Sequence, residues 1–82
     1  MKRAYCEQLW AENCNDIYYY LIAMTRQRAD AEDLLQNVAV KAFKGYRRLR
    51  NPASFKGWLV KIAKNATYDY YRELRKQKLH LE

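Results

Sequence analysis

The 82-residue chain lacks most features that mark enzymes, metal sites and disulfide-stabilised domains. It has one histidine, two cysteines and no CxxC pair, so a zinc site is not expected. A helix would separate Cys6 from Cys14 by about 12 Å, which is too far for a disulfide. There is no Gly-rich phosphate loop, no carboxylate cluster with metal spacing and no nucleophile beside His80. These absences argue against an enzyme and against a bound cofactor.

Long apolar runs are missing as well. No segment approaches the roughly 20 residues of a membrane span, and the first ten residues lack the apolar core of a signal peptide. We therefore expect a cytoplasmic protein without a membrane partner. Glycine and proline total three, and no run of Ser, Gly or Pro divides the chain, so one domain is expected.

The charge is concentrated in the second half of the chain. Residues 41–79 carry twelve Lys or Arg against two acids, whereas residues 1–40 carry four against six, and the formal net charge is +7. A basic half of this kind indicates a polyanionic partner, with nucleic acid favoured over an anionic membrane. A basic surface that is only solvated is the alternative.

Apolar residues recur at intervals of three and four, which predicts an all-α fold. We expect a compact bundle of three to four helices with a long C-terminal helix. The first helix is predicted at about 4–27, and the Asn and Asp residues near 13–16 leave a break open. The second is predicted at 30–49, capped by Asp30. The third is predicted at 52–78, capped by Asn51 or, as the alternative, by Ser54. The expected core residues of the second helix are Ala31, Leu35, Val38, Ala42, Tyr46 and Leu49.

The third helix has two different faces when its residues are placed 100° apart. Its expected core face contains Phe55, Trp58, Leu59, Ile62, Ala63, Ala66, Tyr70 and Leu74. On the opposite side lie the six residues that we call the basic ridge, namely Lys61, Lys64, Asn65, Tyr68, Arg72 and Arg75.

The composition of the basic ridge fits single-stranded or melting DNA better than an intact major groove. Its cations neutralise phosphates, Tyr68 can stack on an unpaired base, and Asn65 can hydrogen-bond a base edge. Trp58, at the border of the two faces, is suited either to the core or to DNA.

The exposed side of the second helix is predicted to carry a mostly polar face with one apolar residue in its middle. Val40 in that position suggests a partner contact, although a single exposed valine is common in proteins. The residues of this face are Asp33, Gln36, Asn37, Val40 and Lys44.

Several short motifs follow one another in a fixed order: "DAEDLLQ", "KAF", a short basic loop, "SFKGWLVKIAKN" and "DYYR". Together, over residues 29–76, they resemble region 2 of bacterial sigma factors of the sigma-70 family, in the extracytoplasmic-function group. The N-terminal helix matches loosely. The resemblance implies a domain that binds RNA polymerase core and recognises and helps melt the promoter minus-ten element in transcription initiation.

The resemblance also implies which residues meet each partner. Asp33, Gln36 and Asn37 would dock on the clamp helices of the polymerase beta-prime subunit, although many members have Glu where Asn37 stands. The loop at about 46–54 and the last helix would bind the non-template strand of the minus-ten element, and Asn65 would line the pocket for a flipped base. The implied DNA-binding residues of the loop are Arg47, Arg48, Arg50 and Asn51.

Primary sigma factors open the duplex with a pair of tryptophans, but here only Trp58 stands in that pattern and Leu59 follows it. This implies weaker intrinsic melting and stricter promoter recognition. The family also implies an anti-sigma factor as a partner. Its members normally carry a second DNA-binding domain, region 4, which is absent here, so we expect an excised domain or an unusually short member.

Two readings from other classes remain open. One is a helical protein-interaction module that binds an anti-sigma factor or an adaptor without reading DNA. The other is a helix-turn-helix duplex binder, against which the long final helix and the missing tight turn argue.

Overall fold

The computed structural model describes residues 1–81, with side chains described through Leu79. Two short 3-10 helices, at Tyr46–Arg48 and Pro52–Ser54, connect the second α-helix to the third. Residues 1–81 contain no strand, and the prediction of an all-α fold with a long C-terminal helix is confirmed. The three α-helices are α1 (Arg3–Thr25), α2 (Arg28–Gly45) and α3 (Phe55–Leu81).

Helix α1 runs without interruption through residues 13–16, so the break left open by the sequence is absent. The Asn13 side chain donates a hydrogen bond to the Leu9 carbonyl, four residues earlier, at 2.8 Å. The helix ends at Thr25, whose hydroxyl donates to the Leu21 carbonyl at 2.8 Å. Arg26 follows in the left-handed conformation, with φ 56°, which turns the chain toward α2.

Helix α2 begins and ends differently from the sequence prediction. It starts at Arg28, and no side chain caps its amides, so the assignment of Asp30 as the cap is wrong. Asp30 lies in the first turn instead, where its carboxylate accepts a hydrogen bond from the Tyr70 hydroxyl at 2.6 Å. The α-helix ends at Gly45, and Tyr46–Arg48 continue as a 3-10 turn rather than as part of a helix to residue 49.

The hydrophobic core lies where the three α-helices meet. In α2, Leu34 is buried and Leu35 only half-buried, which corrects the predicted core stripe by one residue. Leu74 is 38% exposed rather than in the core, because α3 buries no described residue after Thr67. The buried apolar residues are Cys6, Ile17, Leu21, Ala31, Leu34, Val38, Ala42, Tyr46, Phe55, Leu59, Ala63 and Ala66.

The start of α3 is held by local and long-range contacts. The Asn51 side chain accepts a hydrogen bond from the Ala53 amide at 3.0 Å and caps the 3-10 helix Pro52–Ser54, with Pro52 at its first position. The α-helix itself begins at Phe55 rather than at the predicted residue 52. Lys56 forms an ion pair with Asp16 at 2.9 Å, which connects α3 with α1.

Both cysteines are free thiols. None of the helices over the described residues has the length and apolar character needed to cross a bilayer.

Candidate functional site

One side of α2 presents the polar face predicted from the sequence. The spacing of three and four places its residues opposite Ala31, Leu34 and Val38, which are buried. Val40 is 50% exposed in the middle of this surface. Lys44, the last residue of the predicted polar face, is exposed as well. We call the other four residues of this surface, all exposed, the docking face: Asp33, Gln36, Asn37 and Val40.

The basic ridge lies on the outer side of α3. All six of its residues are exposed, whereas Leu59, Ala63 and Ala66 on the other side of the helix are buried. Tyr68 is 53% exposed, so its ring offers a free face to a ligand. The structure therefore brings the four cations, the amide and the aromatic of the ridge onto one accessible surface.

Few contacts within the protein engage the polar groups of the basic ridge. The Lys64 ammonium lies 5.9 Å from the centre of the Tyr68 ring. Arg72 pairs with Asp69 at 3.5 Å, an exposed pair that stabilises little. Within the described residues Lys61 and Arg75 form no ion pair, and the Asn65 amide forms no side-chain hydrogen bond. These groups are thus available to an external anion or base.

The loop between α2 and α3 extends the basic surface beyond the helix. Arg47, Arg48 and Arg50 are exposed. The Arg47 Nε donates to the hydroxyl of buried Tyr46 at 3.4 Å, which holds this guanidinium close to the bundle. The side-chain oxygen of Asn51 accepts the capping hydrogen bond, so its NH₂ group is the part of this side chain without a partner among the described residues.

Trp58 is half-buried at the junction of α2 and α3. Its ring centre lies 5.7 Å from that of Phe55, at an interplanar angle of 57°. Gly45 leaves room for the indole, because a β-carbon there would stand 3.2 Å from Trp58 Cζ2. These contacts give Trp58 a packing role and leave part of its side chain accessible.

A shallow groove lies between α2 and α3 beside the docking face. Asn37 and Val40 of the docking face line one wall, and Ala66, Asp69 and Tyr70 of α3 line the other. Two cations outside the DNA-binding assignment also line the groove: Lys41, which the sequence analysis did not single out, and Lys44, which it placed on the polar face of α2. The spacing of the two lysines in "KAFK", three residues apart in a helix, is the signal that could have identified Lys41. No group of three potential metal ligands occurs in the part of the chain that the structure describes.

Comparison with known proteins identifies the family. A sequence model of Sigma-70 region 2 matches residues 9–77, which includes most of α1, all of α2 and most of α3. The ECF RNA polymerase sigma factor SigM of Bacillus subtilis (strain 168) is 32% identical over 71 residues, which are 87% of this chain and 43% of SigM. The ECF RNA polymerase sigma factor SigX of the same organism is 33% identical over 58 residues, 71% of this chain and 30% of SigX.

A third relative, the probable RNA polymerase sigma factor RfaY of Xanthomonas campestris pv. campestris, is 34% identical over 65 residues, 79% of this chain and 16% of RfaY. The chain thus spans less than half the length of each of these relatives. No solved structure matches it significantly. The docking face, the loop and the basic ridge all fall within the matched residues, and the resemblance inferred from the motifs is confirmed. The chain belongs to the Sigma-70 region 2 family.

Proposed function

We propose that this domain binds RNA polymerase core and recognises and helps melt the promoter minus-ten element in transcription initiation. The observation that carries the proposal is the exposed basic ridge, which combines four cations with an aromatic and an amide on the side of α3 opposite the core. The relatives named above are sigma factors, which supports the same function.

On the DNA side, the basic ridge would hold the non-template strand of the minus-ten element. Lys61, Lys64 and Arg72 neutralise its phosphates, and the arginines of the loop extend this contact. Tyr68 stacks on a base that has left the duplex. Asn65 has a free amide that can both donate to and accept from the edge of a flipped base.

On the polymerase side, the docking face would contact the clamp helices of the beta-prime subunit. Asp33, Gln36 and Asn37 supply hydrogen-bonding groups, and Val40 supplies an apolar centre, which together resemble the polar rim and apolar middle of a protein interface. An anti-sigma factor that covers the docking face or the ridge would block this assembly.

The DNA part of the proposal is tested by anisotropy with a fluorescent single-stranded oligonucleotide at several salt concentrations. Replacing Lys61, Lys64 and Arg72 with Ala should weaken binding. It should also make the negative slope of log K against log salt shallower by about 2, at roughly 0.7 per lost phosphate contact. The matched control replaces the exposed cations Lys2, Arg26 and Arg28 with Ala.

The control changes the net charge equally but lies outside the basic ridge. An equal loss of affinity in the two triple variants would show that the effect depends on net charge and not on the basic ridge. Unchanged binding by the ridge variant would favour the protein-interaction module instead.

The polymerase part is tested by capture of core RNA polymerase on the immobilised domain. Asp33→Ala and Gln36→Ala should capture less polymerase than the wild type, because each removes an exposed polar group of the docking face. Glu12→Ala and Gln8→Ala remove the same kinds of group from the exposed side of α1 and should behave as the wild type. Full capture by both docking-face variants would remove this face from the proposal.

A further inference from the structure

Two neighbouring tyrosines of α3 reach the connection between α1 and α2. The Tyr70 hydroxyl donates to Asp30 Oδ2 at 2.6 Å, and the Tyr71 hydroxyl donates to the Met24 carbonyl oxygen. The two rings are in edge contact, with centres 5.2 Å apart. Tyr70 is 40 residues from its partner in sequence, and Tyr71 is 47 residues from its partner. We call these four residues the tyrosine clasp.

The clasp lies where α3 leaves the bundle. Ala66 and Thr67 are buried just before it, whereas every residue from Tyr71 to Leu79 is exposed. No other side-chain hydrogen bond or ion pair connects the described part of α3 after Ala66 with α1 or α2. The clasp is therefore the last polar attachment of α3 to the bundle.

The clasp also lies beside the C-terminal half of the basic ridge. Tyr68 precedes Tyr70 by two residues and Arg72 follows it by two, so both lie on the side of the helix opposite Tyr70, whereas Tyr71 adjoins the ridge, three residues after Tyr68. Any change in the direction of α3 at Tyr70 moves Arg72 and Arg75 relative to Lys61 and to the loop. Such a movement would weaken binding of a DNA strand that contacts both ends of the ridge.

We propose that Tyr70 and Asp30 are positioning residues of the basic ridge, which they serve by fixing the direction in which the second half of α3 leaves the bundle. This inference rests on the proposed binding of single-stranded DNA by the ridge. The hydrogen bond is well suited to the role because a carboxylate acceptor makes it shorter and stronger than a neutral pair. A ridge held in one direction binds an extended strand without first losing conformational freedom.

The experiment compares the wild type with a double variant, Tyr70→Phe with Tyr71→Phe, which keeps both rings and removes both hydroxyls. The matched control is Tyr18→Phe with Tyr19→Phe, another adjacent and contacting pair, on α1, whose hydroxyls form no hydrogen bond within the described residues. Affinity is measured well below the unfolding temperature, with one oligonucleotide that spans the whole ridge and one that reaches only from Lys61 to Asn65. Hydrogen exchange of the free proteins is measured in parallel.

We expect the clasp variant to bind the long oligonucleotide about three- to tenfold more weakly, which corresponds to the net contribution of about one hydrogen bond. Binding of the short oligonucleotide should not change, and the control pair should bind both as the wild type does. Amides of residues 68–79 should exchange faster in the clasp variant alone. Equal affinity for the long oligonucleotide, or an equal loss for both lengths, would overturn the positioning role.

Failure of the underlying function would look different. If the wild type bound neither oligonucleotide, the proposed DNA binding would be wrong, whatever the clasp does. Hydrogen exchange would then decide the clasp by itself. Faster exchange confined to residues 68–79 in the clasp variant would show that the clasp holds α3 against the bundle. Unchanged exchange would show that neither the clasp nor the proposed DNA binding is correct.

Discussion

The indole of Trp58 lies against Gly45, so close that a β-carbon on residue 45 would stand 3.2 Å from Cζ2. Gly45 is the last residue of α2, and Trp58 lies in the first turn of α3. Because Gly45 has no side chain, the Trp58 indole of α3 can pack directly on the end of α2. The other glycine, Gly57, has nothing within 4 Å of an added β-carbon, so the two positions form a natural comparison.

Gly57→Ala should stabilise the domain by about 0.5 to 1 kcal/mol, because glycine inside a helix costs about that much relative to alanine. Gly45→Ala should yield a smaller gain or a loss, since Trp58 must shift by a few tenths of an ångström. Urea unfolding followed by circular dichroism measures both free energies. A larger gain at residue 45 than at residue 57 would show that the indole does not resist the added methyl group.

Leu59→Ala should lower the free energy of unfolding by about 2 to 5 kcal/mol, because the leucine is fully buried at the centre of the bundle. Leu79→Ala is the matched control. Leu79 is 69% exposed, and its replacement should change stability by no more than about 0.5 kcal/mol. Comparable losses from the two substitutions would contradict the placement of the core.

The stability contributed by Tyr70 should disappear in strong alkali. The hydrogen bond to the Asp30 carboxylate, followed by burial, raises the pKa of Tyr70 from 10.0 to about 12. Because the folded state holds the phenolic proton more tightly than the unfolded chain does, the contribution is complete below pH 10.0 and is lost as the pH rises through about 12.

The measurement is the difference in unfolding free energy between the wild type and Tyr70→Phe. It should be about 1 kcal/mol at neutral pH and should shrink toward zero above the folded-state pKa of Tyr70. Other groups that titrate in alkali are shared by the two proteins and largely cancel. A difference that stays constant across this range would show that the hydroxyl is not bonded to Asp30.

Asn65→Ala should lower the discrimination against substitution of one base of the bound strand by about 1 to 3 kcal/mol, because a side-chain amide can form two hydrogen bonds to a base edge. Anisotropy titrations with single-base variants of the oligonucleotide measure this. Asn15→Ala, an exposed asparagine on α1, is the control. An equal loss on every sequence would make Asn65 a contact to the backbone rather than to a base.

Up to Thr67, the buried and exposed faces of α3 could be predicted from the sequence, because they follow the helical period; Leu74, on the core side by period but beyond the bundle, is exposed. Leu59 and Ala63 are buried, and Lys61 and Tyr68 are exposed, as the spacing indicates. The Asn51 cap could be predicted because it is local: the capping side chain and the Ala53 amide that it binds lie two residues apart. Features of this kind need no knowledge of how the helices pack.

Features that depend on packing could not be predicted. Asp30 has the sequence signature of a cap, but its carboxylate bonds Tyr70, which is 40 residues away and lies in no common sequence window. Leu34 and Leu35 are equally apolar neighbours, and only the positions of α1 and α3 decide which of them is buried. Asn13 and Asp16 are weak helix formers, but α1 continues through them.

The unequal lengths of the helices have a thermal consequence. Residues 72–79 continue α3 with every side chain exposed, and the molecule measures 49 × 21 × 16 Å. A short stretch of helix without tertiary support is only marginally stable in water, because little beyond local propensity opposes its entropy. On warming, the domain should therefore fray from this end first and shorten before its interior melts. A ligand that grips the frayed end would have to restore the helix as it binds.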